Sequence, residues 1–136
     1  MQPIYFPIVE YGKQRGNAAL DVWVSAPTYQ IQNRPPLRYL DVSASYSAKE
    51  HAIYVNVLNR SKDKDISARI ENQEGQIEPE AGVWEMNHAD LKATHTFGDD
   101  KKVRPVTRTI SVAVQNDAFN YTFPAHSLTI LRLRLK

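Results

Sequence analysis

The sequence lacks several features that would assign a chemistry at once. It has no cysteine, which excludes a disulfide framework, a thiolate nucleophile and a sulfur-ligated zinc site. No apolar run approaches the ~20 residues that span a bilayer. The opening MQPIYFPIVEYGKQRG, with prolines at positions 3 and 7, does not form a signal peptide. We therefore expect a soluble domain; the compartment stays open, with a cytoplasmic location slightly favoured.

A concentrated basic patch is also lacking. The 136 residues carry a formal net charge of +2, and the basic side chains are spread along the chain rather than interleaved with aromatics. Arg132, Arg134 and Lys136 alternate with leucines, which places them on the solvent face of a strand. The pattern indicates neither a nucleic-acid partner nor a membrane partner.

The dominant pattern that is present is an alternation of apolar and polar residues with a period of two. It runs through residues 20–24, 40–46, 53–57, 66–70, 110–114, 119–123 and 128–135. The stretches between them have the composition of connections: we predict a charged hairpin tip at 60–65, a loop at 74–82 and a tight turn at 115–118. Seven or eight short strands of this kind predict an all-β, antiparallel sandwich.

Helical spacing interrupts this rhythm at the start of the chain. Ile4, Ile8 and Tyr11 recur at helical intervals, and Pro7 is tolerated in a first turn. A glycine at position 12 or 16 would end such a helix with a left-handed cap. We predict a short amphipathic helix here.

The stretch NHADLKATHTFGDD, residues 87–100, is the densest collection of reactive side chains. Asn87 and Asp90 have the spacing of a capping box, with Leu91 and Ala93 facing inward. His88 and His95 lie seven residues apart, which is not the spacing of four that places two imidazoles on adjacent helical turns.

The acidic end of the same stretch does not build a cation loop. Asp99 and Asp100 are adjacent and are followed by two lysines, whereas a calcium loop alternates its oxygen ligands. No serine lies in a glycine-flanked nucleophile turn, and Ser127 beside His126 would point to the opposite strand face. We assign no metal, no cofactor and no catalytic residue.

Aromatic side chains leave two interpretations open. Trp23 and Tyr54 each lie on the polar side of a predicted strand, which suits either a second packed face or an exposed platform that stacks against sugars. Packing in a core or an interface is the favoured interpretation, because aromatics are common in strands for packing reasons alone.

Five segments in order resemble the C-terminal region of the α-L-arabinofuranosidases of glycoside hydrolase family 51. They are RGNAALDVWVSAPTY, YLDVSASYS, IYVNVLNRS, DLKATHTFGDDKKVRP and FPAHSLTILRLRL. The resemblance implies a jelly-roll-like β-sandwich over residues 17–136, preceded at 1–16 by what resembles the last helix of a (β/α)8 catalytic barrel. The family's catalytic glutamates have no counterpart, because the sequence contains no Asn-Glu dipeptide.

The resemblance also implies a role. The chain is expected to be the accessory domain of a retaining glycosidase that removes terminal α-L-arabinofuranosyl groups from hemicellulose, and to be inactive alone. Its expected partner is the catalytic barrel or, failing that, a second copy of itself, and the expected contact residues are Tyr5, Phe6, Ile8 and Val9. Within the loop at 87–100, Phe97 is expected to tuck inward while the histidines and aspartates make surface or interdomain hydrogen bonds.

Two rival functions remain. A free-standing carbohydrate-binding module would show Trp23, Tyr29 or Trp84 exposed and coplanar beside a polar groove. A small enzyme would show His88 or His95 in a cleft against Asp90, Asp99 or Asp100.

Overall fold

One helix and ten strands make up the computed structural model, which describes residues 1–136. The helix is α1 (Tyr5–Lys13), and the strands are β1 (Ala18–Leu20), β2 (Thr28–Tyr29), β3 (Leu37–Arg38), β4 (Leu40–Ser47), β5 (Ala52–Asn59), β6 (Ile66–Glu71), β7 (Ile77–Met86), β8 (Val106–Ser111), β9 (Ala118–Phe123) and β10 (Leu128–Leu135). The helix is far too short to cross a membrane, and no candidate membrane-spanning helix is present.

The strands form an antiparallel sandwich, as the alternation predicted. A six-stranded sheet has the order β1-β4-β5-β10-β7-β8, and β6 pairs with β9 in a separate sheet of two strands. Leu131, Leu133 and Val57 on one face of the large sheet join Phe123 and Tyr121 of the small sheet in a single buried cluster. The other face of the large sheet is thereby left for α1.

The longest strand is one that the sequence did not predict. Residues 74–82 were expected to be a loop because of their glutamates, glycines and Pro79, but β7 runs from Ile77 to Met86 and pairs with both β10 and β8. Pro79 lies before the first residue of β7 that pairs with β8, where no ladder hydrogen bond is needed from its nitrogen. A register shift between Leu133 and Leu135 allows Ile77 to reach the core despite the irregular pattern.

Three further predictions were wrong in detail. The first strand ends at Leu20 rather than at residue 24, and the strand expected at 110–114 is β8, at Val106–Ser111. Residues 60–65 are not a hairpin tip, because they carry the chain from β5 in the large sheet to β6 in the small one. The turn at 115–118 is confirmed: Gln115 and Ala118 exchange backbone hydrogen bonds across Asn116 and Asp117, which both have positive φ.

One buried amide fastens the crossover between the two sheets. Asn59, at the end of β5, is 1% exposed. Its side-chain nitrogen lies 3.0, 3.1 and 2.9 Å from the carbonyl oxygens of Lys64, Phe123 and Pro124. Its side-chain oxygen accepts from the backbone N–H of Ser61 at 2.9 Å. Asn59 therefore ties the 60–65 crossover to the end of β9.

Candidate interdomain interface

Helix α1 presents an uncovered apolar side. Ile4, Tyr5, Ile8 and Val9 occupy positions i, i+1, i+4 and i+5, which lie on one side of a helix, and all four are exposed, with Ile8 at 63%. We call these four side chains the docking face. Phe6, the remaining predicted contact residue, lies on another side of the helix and is partly buried. Burying such a face contributes roughly 25 cal/mol per Å² of apolar area, so it is costly to leave in water.

The C-terminal end of the helix is fixed to the outer face of the large sheet. Gln14 exchanges hydrogen bonds with the side chain of Asn56 at 2.7 and 3.1 Å, and it accepts another from Ser45 at 3.0 Å. Asn17 donates to the same serine at 3.2 Å. The helix predicted from Ile4, Ile8 and Tyr11 is thus confirmed, and Gly16 follows it with a φ of 90°.

A buried histidine fixes the N-terminal end. His95 is 3% exposed, and its Nε2 accepts a hydrogen bond from the backbone N–H of Val103 at 3.1 Å. The other ring nitrogen, Nδ1, therefore carries the hydrogen and donates it to the carbonyl oxygen of Met1. Gln2 donates to the carbonyl of His95 at 3.3 Å, and the Phe6 ring packs edge-on against the imidazole. His95 thus holds the loop at 87–104 against the start of the helix.

Replacing His95 with alanine is expected to lower the free energy of unfolding by about 2–3 kcal/mol. The N–H of Val103 and the carbonyl oxygen of Met1 would lose their hydrogen-bond partner, and the missing ring would leave a cavity. The matched control is His88→Ala, whose ring bonds only to the backbone of Asp90 and should change stability by less than about 1 kcal/mol. Urea unfolding of both variants measures the difference. Equal effects would show that His95 has no special structural role.

The tip of this loop points into solvent, contrary to the prediction. Thr96 and Asp99 exchange backbone hydrogen bonds at 3.0 and 3.1 Å across a two-residue turn formed by Phe97 and Gly98, and Gly98 has a φ of 91°. Phe97 is fully exposed at the tip, and Leu91 is also exposed. Gly98 supplies the positive φ that this tight turn requires. The inward prediction for Phe97 rested on the family resemblance, and the turn places its ring in solvent instead.

The beginning of the loop does not cap a helical turn. Asn87 donates to the carbonyl of Ala125 at 3.1 Å, and the Asp90 carboxylate accepts from the N–H of Lys92 at 2.9 Å. The predicted capping box is therefore wrong, because both side chains have found other backbone partners. Of the three residues predicted to face inward, Leu91, Ala93 and Phe97, only Ala93 is partly buried.

None of the predicted histidine rings is hydrogen-bonded to the carboxylate of a predicted aspartate. His95 is enclosed by backbone partners, and Asp100 pairs instead with Arg104 at 3.1 Å, a hydrogen bond that holds the pKa of the carboxyl below its ordinary value. Asp99 lies 4.0 Å from Lys102. No group of three or more metal-ligating side chains lies close together. A recess of about 160 Å³ does bring His88, Asp90 and His126 together, but both imidazole rings are hydrogen-bonded to backbone groups, of Asp90 for His88 and of Lys62 and His88 for His126.

A groove of about 580 Å³ separates α1 from the outer face of the large sheet. Tyr11 and Pro7 form its helical wall, and Asp41, Asn56 and Met86 lie on the sheet side. Burial, together with the charge of Asp41, raises the pKa of the Tyr11 hydroxyl. The amide of Asn56 is already engaged by Gln14 and Ser43, so the groove has few free polar groups with which to orient a ligand.

A second polar cluster joins the two sheets on the inner side. The Arg108 guanidinium lies 3.4 Å from both carboxylate oxygens of Glu85 and donates to the hydroxyl of Tyr121 at 2.9 Å. Tyr121 and Thr129 donate to the same carboxylate at 3.1 and 3.4 Å. Because every polar group of the cluster has a partner, it stabilises the sandwich rather than forming a vacant site.

This cluster makes stability sensitive to alkaline pH. Burial of the phenol, together with the negative charge of Glu85, raises the pKa of Tyr121 from 10.0 to about 12. The folded state therefore favours the neutral phenol: its contribution is fully present below pH 10 and is lost as the pH rises toward 12. After allowance for solvent screening, about 1–2 kcal/mol should disappear over that interval.

The test compares the wild type with Tyr121→Phe by urea unfolding between pH 9 and about 11.5. The variant lacks the hydroxyl and is less stable at neutral pH, but the stability gap between the two proteins should narrow as the pH rises. A constant gap would show that the Tyr121 phenol does not couple to folding.

The three aromatic side chains relevant to sugar binding are not coplanar neighbours. Trp23 is 87% exposed, whereas Trp84 is 9% exposed, and Tyr29 packs against Tyr39 with ring centroids 4.7 Å apart. Trp23 therefore does not pack in the core of this domain. A row of platforms, as a free-standing binding module would show, is absent.

Comparison with known proteins agrees with the resemblance in the sequence. The model of the family described as "Alpha-L-arabinofuranosidase C-terminal domain" matches residues 1–127. A protein of Aspergillus clavatus named probable alpha-L-arabinofuranosidase C is 27% identical over 96% of this chain, which covers 25% of that protein. A second protein of that name, from Aspergillus niger, is 26% identical over 98% of this chain, which covers 26% of it.

Solved structures show the same fold. The α-L-arabinofuranosidase of Thermotoga maritima, solved as an arabinose complex, matches 99% of this chain with a TM-score of 0.83 at 22% identity, and 29% of its own chain is covered. A GH51 arabinofuranosidase from Xanthomonas axonopodis pv. citri matches 98% with a TM-score of 0.85 at 19% identity, and 26% of its chain is covered. The chain thus spans about a quarter of the length of the proteins it matches.

Proposed function

The chain belongs to the family of α-L-arabinofuranosidase C-terminal domains, and on that basis we propose that it is the accessory β-sandwich of an enzyme that hydrolyses terminal α-L-arabinofuranosyl groups of hemicellulose. Its role is to pack against the catalytic domain and stabilise it. Residues 1–16 form the segment that connects the two domains, and residues 17–136 form the sandwich. The relatives are about four times as long as this chain, which leaves room for a catalytic domain.

The docking face of α1 is the main support for this proposal. A helix of nine residues with no buried residue gains little from its own domain, yet hydrogen bonds at both ends hold it in place. The fixed geometry presents Ile8 and Val9 to a partner without a loss of conformational freedom on binding. Phe97 is fully exposed at the tip of the loop that His95 attaches to the same helix, so it extends the contact.

A homo-oligomer is the competing use of the docking face, because a second copy could cover the same residues. The catalytic domain is the better partner, since the matched family describes a part of a larger enzyme. Sedimentation of the isolated chain at increasing concentration tests this. A weak, concentration-dependent association fits a docking face that lacks its catalytic domain, whereas a tight dimer would favour a homo-oligomer.

The simplest test is hydrolysis of an aryl α-L-arabinofuranoside by the purified chain. We expect no turnover above a mock preparation, because the groove beside α1 and the recess beside His88 are each lined by a single carboxylate, Asp41 and Asp90, whereas glycoside hydrolysis uses two. Turnover that co-purifies with the chain would contradict the accessory role and would direct attention back to the loop at 87–100.

A further inference from the structure

Trp23 is an exposed aromatic ring that the docking face does not include. It lies in the segment 21–27, which follows β1 and belongs to none of the three sheets, the third being the short β2–β3 pair. Exposure alternates along this segment: Asp21, Trp23 and Ser25 are exposed, and the residues between them are half-buried. This alternation places the three exposed side chains, each two residues from the next, on the solvent side of the segment.

The backbone under Trp23 is held on both sides. Leu20 pairs with Ala44 in the large sheet, and Ala26 packs against the core cluster. Between them, the Arg38 guanidinium donates to the carbonyl oxygen of Val24 at 2.7 Å. The indole is therefore presented from a fixed backbone, and a ligand that binds it need not order the chain.

The neighbours of Trp23 distinguish it from a protein-docking residue. On α1, exposed Ile4, Ile8 and Val9 lie side by side, as an apolar interface requires. Trp23 instead lies between a carboxylate and a hydroxyl. An apolar partner would strip water from the Asp21 carboxylate without offering it a hydrogen bond, which is costly.

A sugar ring can contact both the apolar indole of Trp23 and the polar side chains beside it. Its C–H face packs on the indole, while its hydroxyl groups donate to the Asp21 carboxylate and exchange a hydrogen bond with Ser25. A flat aromatic surface with a few placed polar groups is the general pattern of small-ligand sites, here open rather than concave.

We propose that Trp23, flanked by Asp21 and Ser25, binds one sugar ring of an arabinosyl oligosaccharide. The choice of arabinosyl sugars rests on the proposed function; the existence of the site does not. A single open ring contact gives weak binding, with a dissociation constant on the order of 1 mM. Such a site would keep the polysaccharide near the enzyme while the catalytic domain acts on it.

The experiment is calorimetric titration of the purified chain with arabino-oligosaccharides, with intrinsic fluorescence as a second measurement. Only two tryptophans are present and Trp84 is buried, so the solvent-sensitive emission belongs to Trp23. Trp23→Ala should weaken binding at least tenfold and Asp21→Ala about threefold to tenfold. The matched control, Val106→Ala, trims another exposed apolar side chain, on β8, and should bind as the wild type does.

Two results would overturn the proposal: no heat or emission change up to about 20 mM oligosaccharide, or undiminished binding by Trp23→Ala. Cello-oligosaccharides form the comparison arm, and tighter binding of these would overturn the arabinosyl assignment. No catalytic domain takes part in these titrations. A negative titration would therefore not argue against docking on the catalytic domain. Likewise, a failure to dock would not argue against sugar binding at Trp23.

Discussion

Replacing Asn59 with alanine is expected to lower the free energy of unfolding by about 3–4 kcal/mol, one of the two largest effects we predict. The truncation leaves the carbonyl oxygens of Lys64, Phe123 and Pro124 without their shared donor, and the N–H of Ser61 without its acceptor. Each buried polar group left unpaired costs about 1–3 kcal/mol, reduced where water can enter. The measurement is urea unfolding followed by circular dichroism.

The matched control is Asn120→Ala, an exposed asparagine on β9, which should change stability by less than about 0.5 kcal/mol. Asn59→Asp is the sharper variant, because it keeps the shape of the side chain and replaces the donor with a second acceptor. It should be at least as damaging as the alanine. A stable Asn59→Asp protein would contradict the proposed fastening of the crossover.

Ile8→Asp is expected to weaken association with the catalytic domain about 100-fold, which corresponds to the loss of one central apolar anchor together with the burial of a charge. The assay combines the purified chain with the α-L-arabinofuranosidase catalytic region from the same organism. Because Ile8 is exposed in the isolated chain, the variant's own unfolding curve should be unchanged. The unfolding curve and the association assay therefore distinguish an effect on stability from an effect on docking.

Ile31→Asp serves as the control for this prediction, since Ile31 is also an exposed isoleucine but lies in the loop between β2 and β3. It should leave association unchanged. Equal weakening by both variants would indicate a nonspecific charge effect, and no weakening by Ile8→Asp would remove the docking face from the interface.

Strands with a regular alternation were predictable from the sequence, and the irregular one was not. The regular alternation at residues 40–46, 119–123 and 131–135 lies within β4, β9 and β10, where one face of the strand is more buried than the other. β7 was missed since its register shifts opposite Leu135 and Pro79 interrupts its pattern. Such features depend on partner strands that are remote in sequence, so local composition does not reveal them.

Side-chain environments were harder to predict than strands. His95 was expected to make surface or interdomain hydrogen bonds and is instead buried within this domain, because its partners, Met1 and Val103, meet only after the chain has folded. Phe97 was expected inside and is exposed, because it lies at the tip of a two-residue turn. The predicted contact residues Tyr5, Ile8 and Val9 are exposed, but their contact with a catalytic domain remains a proposal.

Hydrogen–deuterium exchange of the chain, alone and in complex with the catalytic region, would show whether the domain docks through α1. We expect slower exchange in residues 1–16 and around Phe97 on binding, with no change in Ser67 or Arg69 on the exposed outer face of β6. Protection confined to the small sheet, or none at all in the presence of excess catalytic region, would contradict an accessory domain that docks through α1.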